Sequence, residues 1–307
     1  MNFRGLIIAV VTLGILGGVL YWSQHRKAPE NSASTSASAA PAILKIDRAD
    51  VTQLTIRQRN AEPVTLVKAK ADQWQITAPK AYSADQEAVA GVFSTLSGLN
   101  ADRVVEEKTS DPKQYGLDPA SVELDITGKN GKVRQLLLGD DTPAGGDAYA
   151  VLTGDPRVFA IASYNKSSLN KSLNDLRDKK LFEFGFNEPN KIELHTGSQS
   201  WNLTRSGHDW SSNGKKVDAS GVESLVSKLR DLSATNFVSS GFVHPDIKAT
   251  VTSDDGKQVE EVSISKSGNN SVAKREGEPT LYQLASGAAE DLPKSAADIK
   301  PAAVAGK

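Results

Sequence analysis

The sequence predicts an α+β protein with an N-terminal transmembrane helix followed by two tandem repeats, each a mainly antiparallel β-sheet with one amphipathic helix. Three observations lead to this prediction. An uncharged apolar run occupies residues 5–22, two helical segments share one pattern, and strand and turn patterns surround both segments in the same order. The 307 residues are enough for two ordinary domains beyond the membrane helix.

Residues 5–22 are long enough to cross a bilayer. At about 1.5 Å per residue, a helix of this run spans about 27 Å, close to the thickness of the hydrocarbon core. A cleaved secretory signal is the alternative, because residues 1–4 form a short basic segment. However, the nearest A-x-A site ends at Ala39, far beyond the apolar run. The sequence therefore favours an uncleaved anchor over residues 1–28.

Residues 29–42 are rich in Ser and Ala and carry almost no charge, a composition typical of a flexible tether. The basic residues on the two sides of the anchor are nearly balanced, so they do not decide its orientation. Spacers of this kind usually hold an exported body away from its membrane. We therefore expect a single-pass inner-membrane protein whose body is periplasmic.

Gly14 and Gly18 form a G-x-x-x-G pair within the anchor. Small residues at this spacing let a second transmembrane helix approach closely. Glycine is also common in membrane helices that have no helical partner. Gly14 and Gly18 are therefore a candidate contact with a membrane partner. The alternative is that they reflect the ordinary composition of membrane helices.

The region after the tether contains an internal repeat. Residues 85–105 align with residues 218–238 at one constant offset, and about a third of the positions are identical without a gap. Apolar residues recur at helical spacing in both, which predicts an amphipathic helix in each repeat. Asp85 and Asp218 stand at the predicted helix starts, where a carboxylate can accept from free backbone N–H groups. Capping explains both aspartates without a catalytic role.

Strand patterns precede each helix in the same order. Residues 51–59 and 64–68 predict a strand pair, which residues 191–196 and 200–205 repeat. A short strand with a tryptophan follows each pair, and these tryptophans are Trp74 and Trp210.

After each helix, the sequence predicts one strand and then a four-strand meander, with hairpin turns at Asn130-Gly131 and Asp255-Gly256. Leucines in residues 164–182 predict one or two short connecting helices. The predicted boundaries are unit 1 at residues 43–184, unit 2 at residues 185–293, and a disordered Ala/Pro/Lys-rich tail at residues 294–307.

Composition excludes several classes of function. The net charge is −1 with both signs interspersed, so nucleic acid is not an expected partner. The absence of cysteine excludes disulfides, thiol catalysis and cysteine metal sites, and it suits an oxidising compartment. The sequence has neither a phosphate-binding G-x-x-x-x-G-K-[ST] loop nor a G-x-S-x-G elbow. We expect no catalytic residue, no cofactor and no metal.

Two groups of residues are weaker candidates for a metal site. His195 and His208, with a carboxylate such as Asp209, could supply zinc ligands, but they lack a helical metal-binding spacing. Exposed turn histidines are the favoured interpretation. Residues 139–147 form an acidic loop, but the alternating ligands of a calcium-binding loop are absent, so a tight hairpin is favoured.

Trp74 and Trp210 occupy equivalent places in the two repeats. An aromatic pair could form a stacking platform for a sugar. More often such residues anchor the core of a unit. They are therefore candidate ligand-binding or core aromatics.

Three segments resemble a known family. They are residues 74–105, the hairpin from Gly139 to Ala150, and the run Asn-Asp-Leu-Arg-Asp-Lys-Lys-Leu at residues 174–181. Together with the anchor, they resemble the bacterial family known as domain of unknown function forty-three-forty, over most of residues 43–293. Members are often encoded beside gliding-motility-type ABC transporter components. The resemblance thus implies an accessory role beside an exporter, and it supplies no catalytic residues.

The leading expectation is a non-enzymatic, inner-membrane-anchored periplasmic accessory or scaffold protein. Its expected partner is a membrane protein, with ABC transporter subunits as the candidate. The alternative is a cell-envelope module that binds glycan or peptidoglycan through Trp74, Trp210 or an exposed sheet edge. A third hypothesis is a hydrolase whose site has no recognisable motif.

Overall fold

Two nine-stranded antiparallel sheets, formed by successive halves of the chain, dominate the fold. The structure is a computed structural model and describes residues 41–69, 72–185, 187–197, 199–268 and 270–302. The predicted anchor, with Gly14 and Gly18, and nearly all of the tether lie outside these residues. In the part of the chain that is described, no helix combines the length and apolar character needed to cross a membrane.

The first half forms a sheet with the strand order β4-β3-β2-β1-β6-β7-β8-β9-β5. Its strands are β1 (Val51–Gln58), β2 (Val64–Lys68), β3 (Trp74–Ala78), β4 (Tyr82–Ser83), β5 (Arg103–Glu106), β6 (Val122–Gly128), β7 (Val133–Asp141), β8 (Asp147–Leu152) and β9 (Val158–Ala162). Its helices are α1 (Gln86–Ser97), α2 (Ser163–Leu169) and α3 (Leu173–Leu176). The two short helices α2 and α3 lie where connecting helices were predicted.

The second half repeats this arrangement with the order β13-β12-β11-β10-β15-β16-β17-β18-β14. Its strands are β10 (Lys191–Thr196), β11 (Gln199–Ser206), β12 (Asp209–Ser212), β13 (Lys215–Lys216), β14 (Ala234–Val238), β15 (Ile247–Ser253), β16 (Gln258–Ser267), β17 (Asn270–Arg275) and β18 (Leu281–Leu284). Its helices are α4 (Ala219–Asp231) and α5 (Ala288–Ala297).

Each strand of the second sheet occupies the place of the strand nine positions earlier in the first. All strand pairings in both sheets are antiparallel. The predicted α+β class with mainly antiparallel sheet is therefore confirmed. Sequence reasoning missed the two-residue edge strands β4 and β13 and the helix α5.

The capping aspartates begin the two main helices as predicted. The Asp85 carboxylate accepts from the backbone N–H groups of Glu87 and Ala88 at 2.9 and 3.0 Å. The Asp218 carboxylate accepts from the N–H of Gly221 at 3.3 Å. Both helices bury four apolar side chains against their sheets, and each buried side chain contributes about 1.5–3 kcal/mol. These are Val89, Val92, Phe93 and Leu96 in α1, and Val222, Leu225, Val226 and Leu229 in α4.

Each half has its own hydrophobic core. The first core runs from Ile43 to Leu176 along the chain, and the second runs from Leu181 to Ala296. The boundary differs from the predicted one at residue 184, because Leu181, Phe182 and Phe184 pack into the second core. These apolar side chains come directly after an antiparallel bridge between Lys180 and Ser233, which carries the chain onto the second half.

The two predicted hairpin turns lie at equivalent places. Asn130-Gly131 joins β6 to β7, and Asp255-Gly256 joins β15 to β16. Gly131 and Gly256 have φ values of 73° and 89°, and glycine reaches this left-handed region without steric cost. These turns set the register of the meander in each half.

The tail from Lys294 was expected to be disordered, but residues 294–302 are ordered. Lys294 lies in α5, and Val217 and Pro301 form an antiparallel bridge. The N–H of Asp218 donates to the Lys300 carbonyl at 2.8 Å, and the N–H of Ala302 donates to the Lys216 carbonyl at 3.1 Å. Residues 300–302 are ordered because they pair with residues 216–218 at the edge strand β13, which the composition of the tail does not show.

The first half contains the same pairing. Ala84 and Arg177 form the equivalent bridge. The N–H of Asp85 donates to the Leu176 carbonyl at 2.8 Å, and the N–H of Asp178 donates to the Ser83 carbonyl at 2.9 Å. The C-terminal segment 300–302 thus holds the place in the second half that residues 176–178 hold in the first.

Deleting residues 299–307 is expected to destabilise the second half, whereas deleting residues 303–307 leaves the pairing with β13 intact. The longer deletion removes the two backbone hydrogen bonds to residues 216 and 218, the hydrogen bond from the N–H of Ile299 to the Ala296 carbonyl, and the packing of Ile299 against the second core, a loss of about 2–4 kcal/mol. Hydrogen exchange should accelerate in β12, β13 and the start of α4, with the first-half strands unchanged. Equal exchange in the two truncated proteins would show that the tail pairing has no energetic weight.

Candidate functional site

The two halves meet around the connector, residues 177–182. Its beginning pairs with β4 of the first half through Arg177 and Asp178. Its next residues pair with the second half, where the N–H of Ala234 donates to the Lys179 carbonyl at 2.8 Å. We call this contact region the seam.

Arg177 lies between two aromatic rings at the seam. Its guanidinium carbon is 3.8 Å from the ring centroid of Tyr82 on β4 and 3.4 Å from that of Phe237 on β14. The Nη2 of Arg177 donates to the Thr280 hydroxyl at 3.5 Å. A guanidinium stacked on two ring faces gains about 0.5–2 kcal/mol per ring, depending on solvent access. One side chain of the connector therefore contacts an aromatic residue of each half.

Two cavities open at the seam. The smaller, of about 200 Å³, lies beside Arg177, Lys80 and Tyr82 of the first part of the chain and beside Glu278 and Tyr282 of the second half. The larger, of about 400 Å³, reaches from the backbone around Trp74 to Phe182 and Glu183. Both are bordered by Ser83 and Asp178, so the cavities adjoin at these two residues.

The second-half wall of the smaller cavity is an ion-pair network. Arg275 pairs with Glu183 at 2.6 Å and with Glu278 at 3.5 Å. The Tyr282 hydroxyl donates to Glu278 at 2.9 Å. Burial raises the pKa of Tyr282, and the neighbouring Glu278 raises it further, so the phenol stays protonated across the physiological range. These groups are satisfied by one another and hold the wall in place.

Two carboxyls near the seam have raised pKa values. Burial raises the pKa of Asp178, although its hydrogen bond from the N–H of Lys180 at 3.0 Å opposes the rise. Burial likewise raises the pKa of Glu260, which accepts from the N–H of Glu183. Both carboxyls accept backbone hydrogen bonds and thereby fix the course of the connector and of Glu183, which follows it.

The seam combines cations, aromatic rings and partly buried carboxyls. Arg177 is held between two rings, and Lys80 lies near the Tyr82 ring at the same cavity. The hydrogen bonds of the seam residues named here run to the backbone, to the ion-pair network, and from Arg177 to the Thr280 hydroxyl.

The two tryptophans singled out in the sequence are core residues. Trp74 is 1% exposed and packs against Phe93 with ring centroids 4.7 Å apart. Trp210 is 2% exposed, and its Nε1 donates to Glu223 at 3.3 Å. With both indoles buried, neither presents a ring face on which a sugar could stack.

The metal candidates are not brought together. His195 lies on β10, His208 lies in the turn before β12, and the Asp209 carboxylate pairs with Lys216 at 2.6 Å. Across the described ranges, no group of three or more His, Cys, Asp or Glu is arranged to hold a metal ion. The acidic loop at residues 139–147 is a hairpin in which the N–H of Thr142 donates to the Asp147 carbonyl at 2.9 Å.

Sequence reasoning did not single out Arg177, Tyr82 or Phe237 as site residues. Arg177 and Asp178 do lie in the run at residues 174–181 that carried part of the family resemblance. That run was the signal available in the sequence. The ring partners lie 95 and 60 positions away from Arg177 along the chain, and their pattern gave no indication of a shared site.

The fold and the seam define a protein with two equivalent α+β units joined by a connector that belongs to both. Residues 74–248 match the model of a family described as a domain of unknown function, DUF4340, and the chain belongs to that family. The matched segment runs from β3 into β15 and so contains the connector with Tyr82, Arg177 and Phe237. A search of curated proteins and a search of solved structures each found no match.

The Ala90→Glu variant is expected to stabilise the first half. The indole N–H of Trp74 is buried without a partner among the described residues, whereas the equivalent Trp210 donates to Glu223. Ala90 is the position that aligns with Glu223, so a glutamate there supplies the missing acceptor, worth about 1 kcal/mol. Urea unfolding measures the gain. The same change made in a Trp74→Phe background is the control, and an equal gain there would contradict the explanation.

The Asp178→Asn variant is expected to change how stability depends on pH. Because the folded pKa is raised, this carboxyl stabilises the folded state fully only below its ordinary pKa of 3.8, and the contribution is lost as the pH rises through the raised value. Asn removes the burial cost of the charge, so the variant should gain stability relative to the wild type from acid to neutral pH.

Asp175→Asn provides a comparison of opposite sign. Although burial opposes it, hydrogen bonds from Ser172 lower the pKa of Asp175, so this carboxylate stabilises the fold above its ordinary pKa and loses that effect as the pH falls. This variant should lose stability relative to the wild type as the pH rises. Urea unfolding at a series of pH values measures the stability of both variants relative to the wild type. If the two differences change in the same direction with pH, the opposite pKa shifts assigned to Asp178 and Asp175 are wrong.

Proposed function

We propose that this chain is a non-enzymatic, inner-membrane-anchored accessory or scaffold protein whose periplasmic body serves an ABC-type transport complex. The observation that carries the proposal is the apolar run at residues 5–22, joined by a Ser/Ala-rich tether to a folded body that begins at Ile43. A protein built this way works beside its membrane. The implied genomic setting of the family supports a transporter as the partner.

The seam supports a binding or scaffolding role for the body. Asp178 and Glu260, the carboxyls with raised pKa values there, accept the backbone N–H groups of Lys180 in the connector and of Glu183 directly after it. Arg275, Glu183 and Glu278 form a closed network with Tyr282. Such groups hold the connector and the second-half wall of the seam in place, as a scaffold requires, and they are engaged structurally rather than presented to a reacting bond.

The anchor supplies the candidate membrane contact. Gly14 and Gly18 would let a transmembrane helix of the partner approach closely, while the tether leaves the body free to reach a periplasmic surface. Binding through two such elements raises the effective concentration of the second contact once the first has formed. The anchor and body would thus act together on one complex.

The glycan-binding alternative finds less support from the body. Its aromatic candidates, Trp74 and Trp210, are 1% and 2% exposed and belong to the two cores. Glycan recognition through an exposed sheet edge would not involve the tryptophans, so their burial does not argue against that form of the alternative. Retention on purified cell-wall material measures it directly.

The test is affinity purification of the tagged full-length protein after crosslinking in mild-detergent membranes. We expect ABC transporter subunits in near-stoichiometric amounts, and fewer of them when Gly14 and Gly18 are both replaced by Leu. A variant with a foreign anchor distinguishes contacts of the anchor from those of the body. Recovery of the protein alone, or with cell-wall fragments, would reject the accessory role.

A C-terminal alkaline phosphatase fusion tests the orientation separately. The fusion should be active, because this reporter folds to an active enzyme in the periplasm. An inactive but stable fusion would place the body on the cytoplasmic side and would end the periplasmic part of the proposal. The reporter result does not depend on the identity of any partner.

A further inference from the structure

The guanidinium of Arg177 has unused hydrogen-bonding capacity. A guanidinium carries five N–H donors in one plane. The Tyr82 and Phe237 rings cover its two faces, and the single hydrogen bond to Thr280 at 3.5 Å occupies one position at its edge. In the described part of the chain, no carboxylate oxygen lies within 4.0 Å of an Arg177 nitrogen. The in-plane edge of the Arg177 guanidinium therefore lacks the hydrogen-bond acceptor that stacked arginines favour.

The carboxylates that border the smaller cavity are engaged elsewhere. Glu278 accepts from Tyr282 at 2.9 Å and pairs with Arg275. Asp178 accepts from the N–H of Lys180 at 3.0 Å. Partial burial lowers the pKa of Arg177 because solvation of its charge is reduced, and the charges of nearby groups such as Glu278 only partly oppose this shift. A bound anion would stabilise the Arg177 charge in place of the solvation that burial removes.

A second cation stands at the same cavity. The Lys80 ammonium lies 6.0 Å from the ring centroid of Tyr82, on which Arg177 also stacks, and no carboxylate of the described residues pairs with it. Arg275, the third cation of the lining, is already paired with Glu183 and Glu278. The cavity thus presents two cations, Lys80 and Arg177, that have no carboxylate of the described residues within ion-pair distance.

We propose that the seam cavity binds a carboxylate group, which forms a bidentate contact with the edge of Arg177 and an ionic contact with Lys80. A volume of about 200 Å³ admits a carboxylate and a short carbon stem. A planar monoanion matches the guanidinium fork, whereas a phosphate dianion would meet the nearby Asp178 and Glu278. The site would bind a carboxylate whether or not the chain serves a transporter.

The same chemistry has two sources, a free small carboxylate or an acidic side chain of a bound peptide segment. Full-length protein in detergent is titrated with butyrate and, separately, with a short Glu-rich peptide, by calorimetry at constant ionic strength. Butyramide and the corresponding Gln-rich peptide are the matched neutral probes. Inorganic phosphate is a third probe. Binding of butyrate alone identifies a small ligand, and binding of the acidic peptide alone identifies a protein segment.

Arg177→Lys is expected to weaken binding of the carboxylate probe about tenfold or more, because lysine keeps the charge but loses the planar fork. Lys80→Gln should weaken it about twofold to fivefold. Arg157→Lys is the matched control, since Arg157 also lies over a ring (Phe159, at 4.9 Å) but already holds the Asp155 carboxylate through two hydrogen bonds. The control should bind like the wild type.

NMR of the arginine Nε–Hε groups in the wild-type protein reports the contact even if Arg177→Lys folds poorly. The Arg177 resonance should shift on addition of the carboxylate probe, and that of Arg157 should not. The proposal is overturned if neither carboxylate probe binds, or if the amides bind equally well. It is also overturned if phosphate binds more tightly, or if Arg157→Lys weakens binding as much as Arg177→Lys.

Discussion

The pairing of each edge strand with the segment that leaves its unit is the constraint on which the rest of the structure depends. β4 and β13 are only two residues long, and a short edge strand cannot satisfy its outward backbone groups by itself. In the first half, residues 176–178 supply the partner, and in the second half residues 300–302 do so. Because the first of these segments continues directly into the second core, closing the first unit also sets where the second unit begins.

The two halves share backbone geometry and differ in side-chain chemistry at the same position. Arg177 and Pro301 occupy equivalent bridges with Ala84 and Val217. Arginine there stacks on rings from both halves, whereas proline presents only a small apolar surface and no donor. The repeated fold thus explains the sheets and the main helices, and the unrepeated residues at the connector explain why the seam is chemically distinct.

Sequence reasoning succeeded where the signal was local. The capped helices, the Asn-Gly and Asp-Gly hairpins and the short connecting helices all depend on residues within a few positions of one another. It failed for β4, β13 and the ordered tail, because two-residue strands have no periodicity and Ala/Pro/Lys composition suggests disorder. The site at Arg177 requires Tyr82 and Phe237 as well, and only the tertiary structure brings these three residues together.

Burying a charged side chain at a boundary between two units is unfavourable unless its surroundings replace water. For Arg177, two aromatic faces replace part of the solvation, yet most of its edge donors are left without an acceptor from the described residues. A leucine or methionine would join the halves through apolar burial without this desolvation cost. The arginine therefore adds nothing to simple cohesion that an apolar residue could not supply. What it adds is a fixed, planar, positively charged edge that faces a cavity, and that property is useful for recognising an anion.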